Sequence, residues 1–459
     1  MATTVLVFVP GTLGSELLDA QGRVWPGSLL EALTKFDTDK FARLLAPNLR
    51  PGDIIRSAAG GLVPIYKPWI EAFEAIVDDK LEQLFRENPS EGQPKTLRPF
   101  PYDWRLDLQD TTGALAGFLD SILTTIPDAD IKLVCHSQGG MLGRFYLESG
   151  QFDARPAFSQ ISLFATFGAP HNGAPIAFAA AVGLHKADFL TTGQTRTLAN
   201  SSQCPSLYQL FPASNHSFIW DSRKSSAAAS LAADNATLVA NFSLSEPNLA
   251  AWRAFRAGLT GRRPKHVRYF YVIGSRQQTL VRFIWDGSKT LTPEELDDAG
   301  DGTVSLLAAM ELTTQSEFVG KSHASLIDTK QARETFASVF GAQTRFAAGP
   351  EFSLSVRKPV VTTDEFIQVQ IECRDTPDRL KAVLRFQRAD IPDPAAPPTD
   401  LSFIDTSAAP VIPIDVTSVG LEFLNLKTPP ITTRGVYRPV LIPEGKPLVT
   451  GPRFVVQQV

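Results

Sequence analysis

The chain has 459 residues, 43% hydrophobic and 20% charged, with a formal net charge of −4. That is the balance of a soluble globular protein, and nothing in it is basic enough for nucleic acid or for a polybasic membrane patch. Three cysteines, Cys135, Cys204 and Cys373, are odd in number and far apart, which excludes a disulfide framework, and no apolar run reaches the roughly 18 residues of a membrane span.

The length exceeds one typical domain, so two domains are expected. Met1-Ala2-Thr3-Thr4 leads straight into an apolar run without a charged leader or a cleavage site. No secretory signal is read there, and the expected location is cytoplasmic, with export by a signal-less route left open. Val5 to Val9 is continuously apolar, as expected of a strand buried on both faces of a parallel sheet, and it ends in Pro10-Gly11-Thr12-Leu13-Gly14-Ser15. Trp69 to Phe85 and Leu115 to Leu123 have helical spacing of apolar residues. Ile131 to Val134, Ile161 to Phe167 and Val267 to Ile273 read as strands. Strands alternating with helices predict a parallel α/β sheet.

Between Phe167 and Val267 lie about a hundred residues, against the roughly 2–6 of an ordinary connection. With helical stretches such as Pro175–Val182 and Leu249–Leu259, they predict a helical cap inserted at about residues 174–262. After about residue 350 the texture changes to short alternating runs, Phe352–Val356, Phe366–Glu372, Ala382–Gln387 and Gly435–Leu441, separated by Pro-rich loops. That rhythm predicts a β-sandwich, immunoglobulin-like in spacing. The expected division is therefore residues 1–348 and 349–459.

The chemistry concentrates at Lys132-Leu133-Val134-Cys135-His136-Ser137-Gln138-Gly139-Gly140-Met141. A strand breaks at a serine, small residues flank it at two positions on either side, and a helix follows. This is the strand–turn–helix corner of a G-x-S-x-G nucleophile, with Cys135 in place of the first glycine. A buried strand running into an ordinary Gly-rich turn would look similar. A nucleophilic serine needs a base, and the base an orienting carboxylate, in the order Ser, Asp, His for α/β-hydrolases. Of six histidines, His323 has the right place near the end of the α/β part. For the acid, Asp301 in Gly300-Asp301-Gly302-Thr303-Val304 stands between two glycines, while Asp297 and Asp298 read as solvated loop charges. A surface-loop histidine and an Asp-Gly turn are the plain alternatives for these two. The oxyanion of acyl transfer needs two N–H donors, and Leu13, in the loop after the first strand, and Gln138, after the serine, are the candidates.

Six segments in order carry a resemblance. They are Phe8-Val9-Pro10-Gly11-Thr12-Leu13-Gly14-Ser15, Pro101-Tyr102-Asp103-Trp104-Arg105, His136-Ser137-Gln138-Gly139-Gly140, Phe167-Gly168-Ala169-Pro170, Gly300-Asp301-Gly302-Thr303-Val304 and a closing His323. The chain resembles the lecithin:cholesterol acyltransferase family of α/β-hydrolases, which includes phospholipases A. The likeness covers roughly residues 1–345, and Pro205–Pro212 resembles the family's cap segment. It implies an α/β-hydrolase fold with Ser137 as nucleophile, Asp301 as acid, His323 as base and Leu13 and Gln138 as oxyanion donors. Cys135 at the elbow and Gln138 after the serine depart from the family pattern.

The expected function is a serine lipid acyl hydrolase acting on a lipid or ester substrate. Two alternatives are an acyltransferase and a catalytically silent binding protein. Candidate substrate contacts are Trp104, Phe189, Leu207 and Phe211, though cap packing alone would also account for them. No cofactor and no metal are expected, and no nucleic acid. The sandwich is a candidate for peripheral membrane contact or for a protein or glycan partner. If it is only a targeting module, removing residues from about 350 should spare chemistry on a soluble ester.

Overall fold

A computed structural model describes residues 3–74, 97–214, 216–225, 229–311, 314–327, 351–398 and 401–458. Its centre is a six-stranded, wholly parallel sheet. The strands are β1 (Thr3–Val9), β2 (Leu97–Pro99), β3 (Ala129–His136), β4 (Ile161–Phe167), β5 (Arg268–Gly274) and β6 (Gln315–Val319), in the order β6-β5-β4-β3-β1-β2. Val5 to Val9 are completely buried, as an apolar run covered on both faces must be. Helix α1 (Leu108–Thr125) starts where the Asp107 side chain accepts from Gln109 N–H, and buries Leu108, Leu115, Ala116, Leu119 and Ile122 along one face. Helix α2 (Gln138–Glu148) is buried along its whole length. Of the helix expected over Trp69–Phe85, residues 67–74 are helical and 75–85 lie outside the described residues.

Strand order reverses between β1 and β3, because β1 has β2 on one side and β3 on the other. Loops leaving the carboxyl ends of two such strands diverge and open a crevice, where open α/β sheets bind their ligands. Leu13 and Ser137 both lie in those loops.

The segment expected to be a helical cap does hold helices, at Pro175–Val182, Thr192–Asn200, Ser206–Gln209, Ala236–Phe242 and Glu246–Gly258. It also holds two short strands, Ile219–Asp221 and Ser230–Leu231. They join a hairpin the sequence did not announce, Gln277–Trp285 with Leu291–Gly300, in one four-stranded sheet. Leu291–Gly300 carries a proline and four carboxylates and is mostly exposed, so no alternating apolar pattern marks it. Its last residue delivers the chain to Asp301.

The C-terminal region is all-β. Strands Phe352–Val356, Ile367–Cys373 and Phe423–Thr428 form one antiparallel sheet, and Arg379–Ala389, Gly435–Pro443 and Phe454–Gln457 are the spine of a second. Inward residues of both, among them Leu354, Ile371, Leu384 and Leu441, share a single apolar core. Val360, Val436 and Val455 instead pack into the core that contains the central sheet. Among the described residues no helix is long and apolar enough to cross a membrane.

Candidate active site

Ser137 sits between β3 and α2 with φ 52° and ψ −123°, a conformation that side-chain-bearing residues rarely adopt. Its N–H donates to the Phe167 carbonyl at 2.9 Å, which pins the corner to the end of β4. The turn is tight because its neighbours lack side chains. A Cβ on Gly139 would lie 2.5 Å from the carbonyl oxygens of Val9 and Pro10, and one on Gly140 would lie 2.4 Å from Ala169 Cβ. Cys135 fits at the position usually glycine because the helix opposite is glycine instead. Its Sγ lies 3.1 Å from where a Gly143 Cβ would be.

Asp301 and His323 come together across two loops. The Nδ1 of His323 donates to Asp301 Oδ2 at 2.7 Å, and the His323 N–H donates to the Asp301 carbonyl at 2.9 Å. The other carboxylate oxygen accepts from the N–H groups of Thr303 and Val304 at 2.9 and 2.7 Å. Glycines make the space: a Cβ on Gly274, ending β5, would fall 2.3 Å from Asp301 Cβ, and one on Gly168, after β4, 3.0 Å from His323 Nδ1. With its proton on Nδ1, His323 keeps a lone pair on Nε2, the arrangement a general base needs. Among the described residues no hydrogen bond joins Ser137 Oγ to Nε2. Their loops meet through backbone, since Ser137 N–H donates to Phe167 O and the next residue, Gly168, lies against the His323 ring. Asp297 and Asp298 are exposed on the hairpin and take no part in this arrangement.

Leu13 has a positive φ of 62°, held by Trp25 Nε1 donating to its carbonyl at 3.0 Å and by Gly14 N–H donating to Gly11 O at 3.1 Å. Neither the Leu13 N–H nor the Gln138 N–H has an acceptor among the described residues. The second is one of the unpaired donors at the start of α2, where the helix dipole also favours negative charge. The Gln138 side chain is turned away to the Pro101–Arg105 segment. Its Nε2 donates to Trp104 O and its Oε1 lies 3.2 Å from the Tyr102 hydroxyl.

Pro101 to Arg105 form the wall behind this loop. Tyr102 donates to Pro10 O at 2.9 Å, and Arg105 pairs bidentately with Asp103 at 2.9 and 2.6 Å while bonding the carbonyls of Leu44 and Ala46. Both charges are almost fully buried, which fits a geometry in which each polar atom has a partner. Trp104 is also fully buried, and its ring meets Trp25 edge-on at 5.8 Å, with the Phe189 ring tilted against Trp25 at 6.0 Å. Phe211 lies deeper, stacked on Tyr208 at 4.3 Å and edge-on to Phe178, and Leu207 packs half-buried against the same core. Trp104 and Phe189 thus stand near the Leu13 loop through Trp25, whereas Phe211 is within the packing of the cap.

Three site residues were not singled out in the sequence, Tyr66, Trp25 and His136. The Tyr66 hydroxyl accepts from Gly11 N–H at 2.8 Å and lies 2.7 Å from His136 Nδ1. The His136 ring is 4.7 Å from that of His323. Burial holds His136 well below the ordinary imidazole range, and the neighbouring His323 adds to the effect. Burial likewise pushes the Tyr66 hydroxyl up and the Cys135 thiol well up. No local motif marks Tyr66. Among the described residues no group of three or more His, Cys, Asp or Glu could hold a metal ion.

Residues 85–252 match the family model of lecithin:cholesterol acyltransferase, so the resemblance holds over that segment. No curated protein matches the chain. Among solved structures, the PmoD soluble domain from Methylocystis sp. is 12% identical, with 25% of this chain and 95% of that one covered, at a TM-score of 0.16. The sporulation control protein of Bacillus subtilis is 12% identical over 24% of this chain and 48% of its own, at 0.15. Red sea bream transglutaminase is 12% identical over 38% and 26%, at 0.17. Similarity this low carries no argument about fold or function.

Proposed function

We propose that this chain is a serine lipid acyl hydrolase of the α/β-hydrolase fold, with residues 1–348 as its catalytic part and 349–459 as an appended β-sandwich. The observation that carries the reading is the Asp301–His323 hydrogen bond formed beside a serine held at positive φ. The family match over residues 85–252 supports lipid esters as the substrate class, for hydrolysis or for acyl transfer.

In this mechanism His323 Nε2 takes the Ser137 Oγ proton as Oγ attacks the ester carbonyl carbon. Asp301 holds the imidazole in the required tautomer and stabilises the imidazolium. The N–H groups of Leu13 and Gln138 bind the oxyanion, each such donor being worth about 100- to 1,000-fold in rate. Collapse breaks the bond to the leaving alcohol, which receives the proton from His323. Water then gives a proton to Nε2, attacks the acyl-serine carbonyl and releases the fatty acid, and Ser137 recovers its proton. The aromatic group Trp25, Trp104 and Phe189 near Leu13 suits an apolar acyl chain. Transfer to an alcohol uses the same acyl-enzyme with an alcohol in place of water, and the family match favours keeping it as the second reading.

The test is labelling with a fluorophosphonate, wild type against Ser137→Ala, beside fatty acid release from phosphatidylcholine vesicles with and without a sterol or long-chain alcohol. Labelling and release that depend on Ser137 support hydrolysis. Ester formed at the expense of free acid would move the assignment to transfer. A wild type that is not labelled would turn the reading toward a silent binding protein.

A further inference from the structure

The sandwich reaches the two loops that carry Asp301 and His323. Arg357, just after strand Phe352–Val356, has a side chain only 10% exposed. It donates from Nη2 to the Gly302 carbonyl at 3.3 Å and from Nη1 to Gln368 Oε1 at 2.7 Å. Its stem covers Gly302 so closely that a Cβ there would lie 3.1 Å from Arg357 Cγ. On the other loop Lys321, two residues before His323, is 3% exposed and sends its ammonium into the sandwich. It lies 2.9 Å from Glu372 Oε2 and 2.8 Å from Ser353 Oγ, and Ser353 in turn donates to Glu372. A third tie holds the turn after β5, where Asn425 Nδ2 and Gln370 Nε2 donate to the Arg276 carbonyl at 2.8 and 3.3 Å.

A module that merely tethers the enzyme would need none of these. As glue, a pair that buries the Lys321 ammonium against a part-exposed Glu372 is a weak choice, because apolar residues of similar volume hold two lobes as well or better. What charged, directional bonds add is position, and catalytic groups lose rate when displaced by about 0.5 Å or more. The chain places such bonds on each side of the Asp301–His323 pair, one residue from the acid and two from the base.

We infer that the C-terminal β-sandwich is part of the catalytic apparatus, with Lys321, bonded to Glu372 and Ser353, and Arg357, bonded to Gly302, as positioning residues for His323 and Asp301. This rests on the serine-hydrolase reading above.

The full-length chain is assayed on p-nitrophenyl butyrate, a soluble ester that needs no membrane targeting, and the rate of fluorophosphonate labelling is followed in parallel. Lys321→Met and Arg357→Met are compared with wild type and with Lys381→Met, which breaks an exposed pair with Glu444 within the sandwich. The expected result is a kcat reduced at least tenfold in each of the first two, KM within twofold, labelling slowed in proportion, and Lys381→Met unchanged. Melting temperatures above the assay temperature establish that the variants are folded. If Lys321→Met does not fold, Arg357→Met decides, since it leaves no buried charge behind. Melting lowered with kcat within twofold of wild type would overturn the inference and leave the contacts as fastening only. A wild type that neither turns over nor labels would remove the serine-hydrolase reading itself, which is a separate result.

Discussion

The hydroxyl of Tyr66 stands 2.7 Å from Nδ1 of His136, and that contact joins the two sides of the site. His136 Nε2 lies 3.1 Å from the carbonyl oxygen of His323, which can only accept, so Nε2 carries the proton and Nδ1 receives one from Tyr66. Tyr66 in turn accepts from Gly11 N–H. One chain of hydrogen bonds therefore runs from the Leu13 loop to the His323 loop, with Trp69 adding a bond from Nε1 to Ala324 O at 3.1 Å.

Replacing Tyr66 by Phe keeps the ring and leaves Gly11 N–H and His136 Nδ1 buried without a partner. The expected cost is about 1–3 kcal/mol of stability, and a kcat lower by roughly tenfold to a hundredfold as the Leu13 donor drifts. Melting curves and steady-state kinetics on a soluble ester check both. A lowered melting temperature with unchanged kcat would make the link structural only.

Cys135 and Gly143 form a complementary pair, and their substitutions should differ sharply. A Cβ on Gly143 would lie 2.5 Å from the Phe164 ring, so Gly143→Ala should cost about 1–3 kcal/mol through overpacking. Cys135→Ala should retain turnover, since the buried thiol, pushed well above its ordinary range, is neither a nucleophile nor readily alkylated. Iodoacetamide at pH 7.5 is therefore expected to leave activity untouched, and inactivation blocked by Cys135→Ala would contradict this.

Much of the site was legible because its parts are local. An apolar strand that ends at a serine, with two glycines two and three residues on and a helix after them, marks a tight corner, and an aspartate between glycines marks a turn. The order of Ser137, Asp301 and His323 could be read without knowing the path between them. Tyr66 was not legible, because its role depends on Gly11, from the loop after β1, and His136, at the end of β3, meeting it in space. The hairpin Gln277–Gly300 was missed because its second strand is polar along most of its exposed length. The sandwich could be foreseen from its alternating runs, yet its grip on Gly302 and Lys321 is a property of docking, which no periodicity encodes.

Asp301→Asn would present an amide to His323 Nδ1, favouring the wrong tautomer, and should lower kcat by about four orders of magnitude. Asp297→Asn and Asp298→Asn lie on the exposed hairpin and should stay within about twofold of wild type on the same argument from distance and solvent screening. Parallel kinetics on the three variants decide the assignment. Loss confined to Asp297 or Asp298 would place the acid elsewhere.

The two most buried histidines predict how the fold responds to acid. His136 and His171 are held well below the ordinary imidazole value chiefly by burial, His171 also by Arg144, Arg263 and Arg256. Above roughly pH 6.5 both are neutral in the folded and the unfolded chain and contribute no pH dependence. Below it the unfolded chain binds protons that the folded chain refuses, so stability falls by about 1.4 kcal/mol per pH unit for each group. Melting temperature should be level from pH 8 to 7 and decline from about pH 6.5 downward, before ordinary carboxylates titrate. His171 stacks on Tyr271 at 4.0 Å, so His171→Phe keeps the stack while removing one of the groups that burial holds down, His185 and His216 being others, and should make the slope between pH 6 and 5 measurably shallower without abolishing it. A melting temperature that stays level across that interval would mean that both imidazoles accept protons within the folded protein.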